Sequence, residues 1–276
     1  MKVPIICLGA SLTTPGSDFY YAFRHIKNSK LQYLQTFCEL IQEWDKTALT
    51  SQSETASYHK LLWWKTEIER FSKHKSQHPL TQRLQESELS YLIHVEYLEE
   101  IIDGFVTILP RKTTTVDTST LLHQKLGGYL FTIIAELLGN KSHFELREAN
   151  TQGILCQRIH CIRYYGYWIK QNILPISLER CNKFSIPLDV VFNPTLDRGK
   201  WQKFIKHEID DILEHKKLSP KRKHLATSKN LSPIIISGEI SILFLKKIRK
   251  NVEIINQYPV SITPIRSLIL SLKQSW

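Results

Sequence analysis

The chain has 276 residues, 42% of them apolar, enough to enclose a sizeable core within one large domain. Its 10 glycines and 11 prolines are too few for a fold of many short strands and favour long helices with short connections. The formal net charge of +11 favours anionic partners such as diphosphates, lipid headgroups or acidic proteins, but no basic run interleaved with aromatics and no nucleic-acid motif is present, so nucleic acid is not expected. The cysteines, Cys7, Cys38, Cys156, Cys161 and Cys181, are odd in number and include no Cys-x-x-Cys pair, which argues against a disulfide framework or zinc ribbon and for a reducing, cytoplasmic setting. Val3 to Ala10 is too short and lacks the cleavage site of a signal peptide, and no apolar run reaches the roughly 18 residues of a membrane span. Peripheral contact with a membrane stays compatible with the charge.

Residues 1–16 read as an irregular N-terminal segment, after which helical periodicity dominates. Asp18 is positioned to cap a first helix through Phe19, Tyr20, Ala22 and Phe23. A second runs from about Lys30 to Lys46, with Leu31, Leu34, Phe37, Cys38 and Ile41 as its apolar stripe, and a third from Ser57 to Lys73. Trp63 and Trp64 there cannot share a face, so one packs inward and the other outward. His78-Pro79 starts a short helix, Glu86 to Leu109 reads as one long helix, and Thr118 to Leu138 as another with Gly139-Asn140 as its stop. Ser142 to about Lys170 follows, with Gly153 and Gly166 inside it, where each glycine costs about 1 kcal/mol unless close packing or a kink needs it. Ile173 to Asn193 reads as irregular. Gly199 to Lys217, Ile234 to Ile255 and Pro264 to Leu272 complete the helices, the last with Thr263 as cap and Pro264 in its first turn. No linker divides the chain, so residues 1–276 read as one all-α domain.

Several segments resemble, in order, the squalene/phytoene synthase family. Phe19-Tyr20-Tyr21-Ala22-Phe23-Arg24 resembles its opening helix, and Thr36-Phe37-Cys38 the signature before its first aspartate-rich motif. Leu62-Trp63-Trp64-Lys65 with His78-Pro79-Leu80 resembles its Trp-Trp-basic helix and His-Pro turn, and Tyr97 to Gly104 its next helix. Gln152 to Arg163 followed by Leu174-Pro175 resembles the second-motif helix and its exit. The resemblance implies an isoprenoid-synthase-like helical bundle around a central cavity, two aspartate-rich helices holding Mg²⁺ across it, and head-to-head condensation of prenyl diphosphates.

That chemistry needs carboxylates at i and i+3 or i+4 on a helix, because Mg²⁺ takes oxygen donors and acts as a Lewis acid on the leaving pyrophosphate. At the first motif the paired aspartates fall on Gln42 and Glu43, and the closing one on Lys46. Glu39, Glu43 and Asp45 are the remnant catalytic candidates. At the second motif the aspartates give way to Tyr164-Tyr165-Gly166-Tyr167-Trp168, and no carboxylate lies between Asn150 and Leu178. Phenols are neutral at pH 7 and poor Mg²⁺ ligands. The chain therefore reads as a member of this fold without the metal cluster, acting in assembly, scaffolding or lipid binding, with no cofactor. It is similar to a non-catalytic branch, the mitochondrial complex I assembly factors with a squalene-synthase-like domain. The alternative is a divergent Mg²⁺-dependent prenyltransferase using the remnant carboxylates.

Tyr164, Tyr165, Tyr167 and Trp168, with Phe19, Tyr20 and Phe23, are candidate pocket-lining residues; the first four either fill the space of metal and diphosphate or wall a retained lipid pocket. Arg24 and Arg163 are candidates for a diphosphate or lipid phosphate, with an ordinary ion pair as the alternative. His207, Asp211 and His215 share a helix face at metal-ligand spacing, which a solvated charged face also produces. His160 and Cys161 are adjacent on a helix and cannot face each other as a nucleophile and base. Lys216-Lys217 to Lys221-Arg222-Lys223 reads as a solvated loop or an anion contact.

Overall fold

The computed structural model describes residue 7 and residues 17–50, 53–109, 116–218, 230–257 and 260–274, and every regular element among them is helical. Helix α1 (Asp18–Phe23) is capped by Ser17 rather than Asp18: Ser17 has the extended backbone of an N-cap, and its hydroxyl accepts from Tyr20 N at 3.0 Å. Helix α2 (Asn28–Thr50) is longer than its stripe suggested and buries Leu34, Phe37, Cys38, Ile41 and Trp44. In α3 (Glu54–Ser72) Trp64 is buried while Trp63 is 42% exposed, as the one-in, one-out reading required. His78 caps α4 (Pro79–Gln85). The α3–α4 corner is tied to one buried carboxylate, Glu67, which accepts from Gln77 N at 2.8 Å, His78 N at 2.9 Å and the Thr81 hydroxyl.

Four expected continuous helices are interrupted, three of them before residue 171. The segment 86–109 splits into a 3₁₀ turn (Ser90–Leu92) and α5 (Val95–Ile108), because Ile93 and His94 are extended and the Ser87 hydroxyl accepts from Leu89 N instead of leaving it to a helix. The segment 118–138 becomes α6 (Val116–His123), a π turn (Gln124–Gly128) and α7 (Tyr129–Leu138), the last closed by Gly139 at φ 96° as expected. The segment 142–170 becomes α8 (His143–Arg163), opened by a Ser142–Glu145 capping box, and α9 (Tyr165–Lys170), with the break at Tyr164.

Both glycines of that segment serve close packing. A Cβ on Gly153 would meet the carbonyl of Gly127, and one on Gly127 the carbonyl of Gly153, so α8 crosses the π turn backbone to backbone. At Gly166 an added Cβ would lie 2.7 Å from the Ile255 carbonyl.

The stretch expected to be irregular contains α10 (Leu178–Lys183), capped by Ser177, and α11 (Leu188–Phe192) after Pro187. Helix α12 (Arg198–Leu218) follows. The expected helix 234–255 is α13 (Ser232–Lys250) and α14 (Ile254–Gln257), separated where Asn251 turns extended. Helix α15 (Pro264–Gln274) is last described. Helix α8 is the central strut, packed against α7, the π turn and α13, while α1 and α15 close over α13, α2 and α5 flank α7, and α3 packs on α2 and α5. Among the described residues no helix is long and apolar enough to cross a membrane. The basic cluster beyond Leu218 and the N-terminal segment apart from Cys7 lie outside the described residues.

Candidate functional site

The first-motif carboxylates do not converge. Glu39 and Glu43 lie one turn apart on α2, but Asp45 is about 200° round the helix from Glu43. Glu39 is paired with Arg83 of α4 at 2.9 Å, Glu43 with Lys46 at 3.2 Å near solvent, and Asp45 is buried on the inner side. The candidate metal remnant is thus two surface ion pairs and one interior carboxylate.

At the second motif, helical spacing builds a cluster of rings in which His160 meets Tyr164 at a tilt and Trp168 edge-on. His160, Tyr164 and Trp168 follow one another at i, i+4 and i+8, with ring centroids 4.5 Å apart for the first pair and 6.2 Å for His160 and Trp168. The break at Tyr164 does not disturb the cluster, because Trp168 N still donates to the Tyr164 carbonyl at 3.1 Å. Trp168 is 2% exposed, and Tyr167 sits against it at 5.8 Å. Tyr165 points the other way: fully buried, it packs on Trp201 and donates its hydroxyl to the Val191 carbonyl at 2.8 Å, and burial pushes its phenol pKa up. Phe19 and Phe23 stack on each other at 5.5 Å within the core, and Tyr20 is half-buried.

Arg163 is committed to the protein. Its Nε donates to the Val260 carbonyl at 2.7 Å, and its guanidinium lies over Phe244 at 3.6 Å from the ring centroid and near Tyr164 at 5.1 Å. The space it borders, between α8, α13 and Phe19 of α1, holds about 30 Å³, room for about one water. Arg24, just after α1, is exposed.

The opposite face of α8 carries charge that the motif reading missed. An open pocket of about 330 Å³ is lined there by His123, Arg158, Arg180, Glu208, Asp211 and His215 among others. Its arginines are neutralised locally: Arg158 meets Asp211 at 3.0 Å and Arg180 meets Glu208 at 2.6 Å. Burial would raise the Asp211 pKa, but the Arg158 hydrogen bond and the arginine charges hold it below the ordinary value. Asp211 is therefore no free metal donor; His215 rests on it, and His207 instead packs at a tilt on Phe184, ring centroids 4.1 Å apart. Cys161 approaches His123, not His160, with Sγ 3.9 Å from Nε2. Burial raises that thiol to about 12 and lowers the imidazole to about 3, so the pair is neutral and carries no thiolate. The spacing of Ile154, Arg158 and Ile162 along α8 was the available signal for this second face.

A sequence model described as squalene/phytoene synthase matches residues 12–266. The chain belongs to the squalene/phytoene synthase family. The fold agrees: the structure of squalene synthase HpnC from Alicyclobacillus acidocaldarius superposes with a TM-score of 0.73 at 12% identity, covering 88% of this chain and 90% of that one. A dehydrosqualene synthase in complex with ligand superposes with a TM-score of 0.71 at 13% identity, covering 97% of this chain and 93% of that one. No curated protein matches. The expected all-α isoprenoid-synthase-like bundle is thus the observed one.

The Mg²⁺ that the family resemblance implies does not fit the donors of this family member. A hard dication needs several convergent oxygens, whereas the first-motif carboxylates diverge or are paired and the second-motif register presents rings. Among the described residues no group of three or more His, Cys, Asp or Glu is gathered as a ligand set.

Proposed function

We propose that this chain is a non-catalytic squalene/phytoene-synthase-like protein that works by binding, in the assembly or scaffolding of a protein complex or in holding an isoprenoid or anionic lipid. The observation that carries the reading is the cluster of Tyr164 and Trp168 around His160, in which the two aromatic residues occupy the register where the family resemblance places the second set of carboxylates. Without donors on that side, a diphosphate leaving group has no dication to neutralise it, and Lewis-acid assistance is a large part of such ionisation. The arginine beside the rings supports the same reading, because its Nε–H is held by the Val260 carbonyl and its cationic face lies on Phe244. The similarity of Gly153 to Pro175 to the complex I assembly branch favours the scaffolding form. A cytoplasmic location belongs to the proposal and accords with five free cysteines.

The test is pyrophosphate release from farnesyl and geranylgeranyl diphosphate with Mg²⁺, beside an active family member. The folded full chain is expected to release none. Release at a comparable rate overturns the proposal in favour of the prenyltransferase, and loss of that rate in Glu43→Gln would then assign the first-motif remnant as its site.

A further inference from the structure

Helix α15 has two apolar faces. Ser267 and Ser271, at 2% and 0% exposure, are buried beside the half-buried Leu268 and Leu270, which pack on the core, while Ile265, Ile269 and Leu272 are 67%, 46% and 43% exposed. The spacing i, i+4, i+7 puts these three apolar side chains on one face. The serines let α15 lie close against α1 and α13, and the Ser271 hydroxyl sits 3.2 Å from His25 Nε2. A surface helix ordinarily faces water with polar residues, so an outer face carrying three large apolar side chains presents a stripe that awaits a partner.

Charge selects the partner. The helix carries Arg266 and Lys273 and no acidic residue, and no Asp or Glu follows Glu253 anywhere in the sequence. Exposed cations flank both neighbouring helices: Lys246, Lys247 and Lys250 close α13, with Lys247 donating to the Ser261 carbonyl just before α15, and Arg24 and Lys27 follow α1, next to the His25 that meets Ser271. An apolar stripe rimmed by lysine and arginine, in a chain of net charge +11, has the form of an interfacial helix that lies in the plane of a membrane. We infer that α15 docks the protein on an anionic bilayer surface, with Ile265, Ile269 and Leu272 entering the acyl boundary and the flanking cations resting on headgroups. The inference is independent of whether the protein is an enzyme.

The experiment is sedimentation of the full chain with phosphatidylcholine vesicles and with vesicles containing about one third phosphatidylglycerol. Wild type is expected to bind the anionic vesicles and to be released by salt. The Ile265→Ser, Ile269→Ser, Leu272→Ser triple variant should bind roughly tenfold or more weakly with an unchanged circular dichroism spectrum, since the replaced side chains are solvent-facing. Arg266→Glu should weaken binding severalfold. Wild type left in the supernatant, equal binding to neutral vesicles, or undiminished binding by the triple variant each overturns the inference. So does a wild-type dimer that the triple variant dissolves without any vesicle binding, which would make the stripe a contact between two copies.

Discussion

Replacing Arg163 with alanine separates a structural arginine from an anion ligand. The substitution removes a charged donor from the Val260 carbonyl at 2.7 Å and a guanidinium from the face of Phe244 at 3.6 Å. A hydrogen bond from a charged group contributes about 1.5–3 kcal/mol, and a desolvated cation–π contact about 1–2 kcal/mol. The two share one group and do not add fully, so the expected loss is about 2–4 kcal/mol. Because Val260 lies between α14 and α15, the loss falls on the seam that holds the C-terminal helices to α8. The melting temperature should drop by about 5–10 °C. Arg163→Lys keeps the charge without the planar face and the Nε–H, and should recover less than half of the loss. Urea unfolding followed by circular dichroism, extrapolated at constant slope, reads the difference directly. A fully stable Arg163→Ala that has lost affinity for pyrophosphate would refute the reasoning and return this arginine to the role the sequence first suggested.

Three further substitutions follow from buried groups. Glu67→Gln should cost about 1–3 kcal/mol at pH 7 by weakening the acceptor that holds Gln77 N, His78 N and Thr81. Burial raises the Glu67 pKa, but these donors and Arg70 hold it below its ordinary value of 4.5, so its contribution is present above that pH and fades as the pH falls. The gap between wild type and Glu67→Gln in urea titrations should therefore narrow at pH 3, and a constant gap would contradict the assignment. Glu136 is the opposite case: burial lifts its carboxyl to about 7, with His94 at 3.3 Å pulling it partly back. A folded pKa above the unfolded one makes stability fall as pH rises from about 4.5 to about 7. Glu136→Gln should remove that decline from a series of melting temperatures, and an identical pH slope would be the contrary result. Gly153→Ala should destabilise by about 2–3 kcal/mol in thermal melts, because the new methyl meets the backbone of Gly127 rather than a side chain that can move; a neutral effect would show that the crossing is looser than described.

Much of the fold was legible because α2 and α3 repeat apolar residues at the helical period, and because Gly139, Pro79 and Pro264 punctuate where their backbone chemistry requires. What periodicity could not show were the breaks inside long apolar stretches. The π turn at Gln124–Gly128 keeps the hydrophobic pattern running while adding a residue to one turn, and its reason, the carbonyl of Gly153 pressed against Gly127, lies across the core. The cap at Ser17 was missed in favour of Asp18 because both residue types cap, and only the backbone angles distinguish them. At the site, the loss of carboxylates was visible in the sequence, whereas the fates of Arg163 and Asp211 depended on Val260, Phe244, Arg158 and Arg180, partners distant in the chain.

If the chain is non-catalytic as proposed, the two faces of α8 are those of a binding fold that has outlasted a catalytic site. Carboxylates gathered around a metal repel one another when it leaves, so a site that loses its ion gains stability by replacing them with groups that attract. On one face, His160, Tyr164 and Trp168 meet ring to ring and Arg163 caps the cluster through Phe244. On the other, charge is retained, but as Arg158–Asp211 and Arg180–Glu208 pairs that need no ligand. The apolar stripe of α15 lies on the surface, away from both faces. On the proposed reading, the exposed Ile265, Ile269 and Leu272 are the physical ground for looking for the function at an interface before looking for it in a cavity.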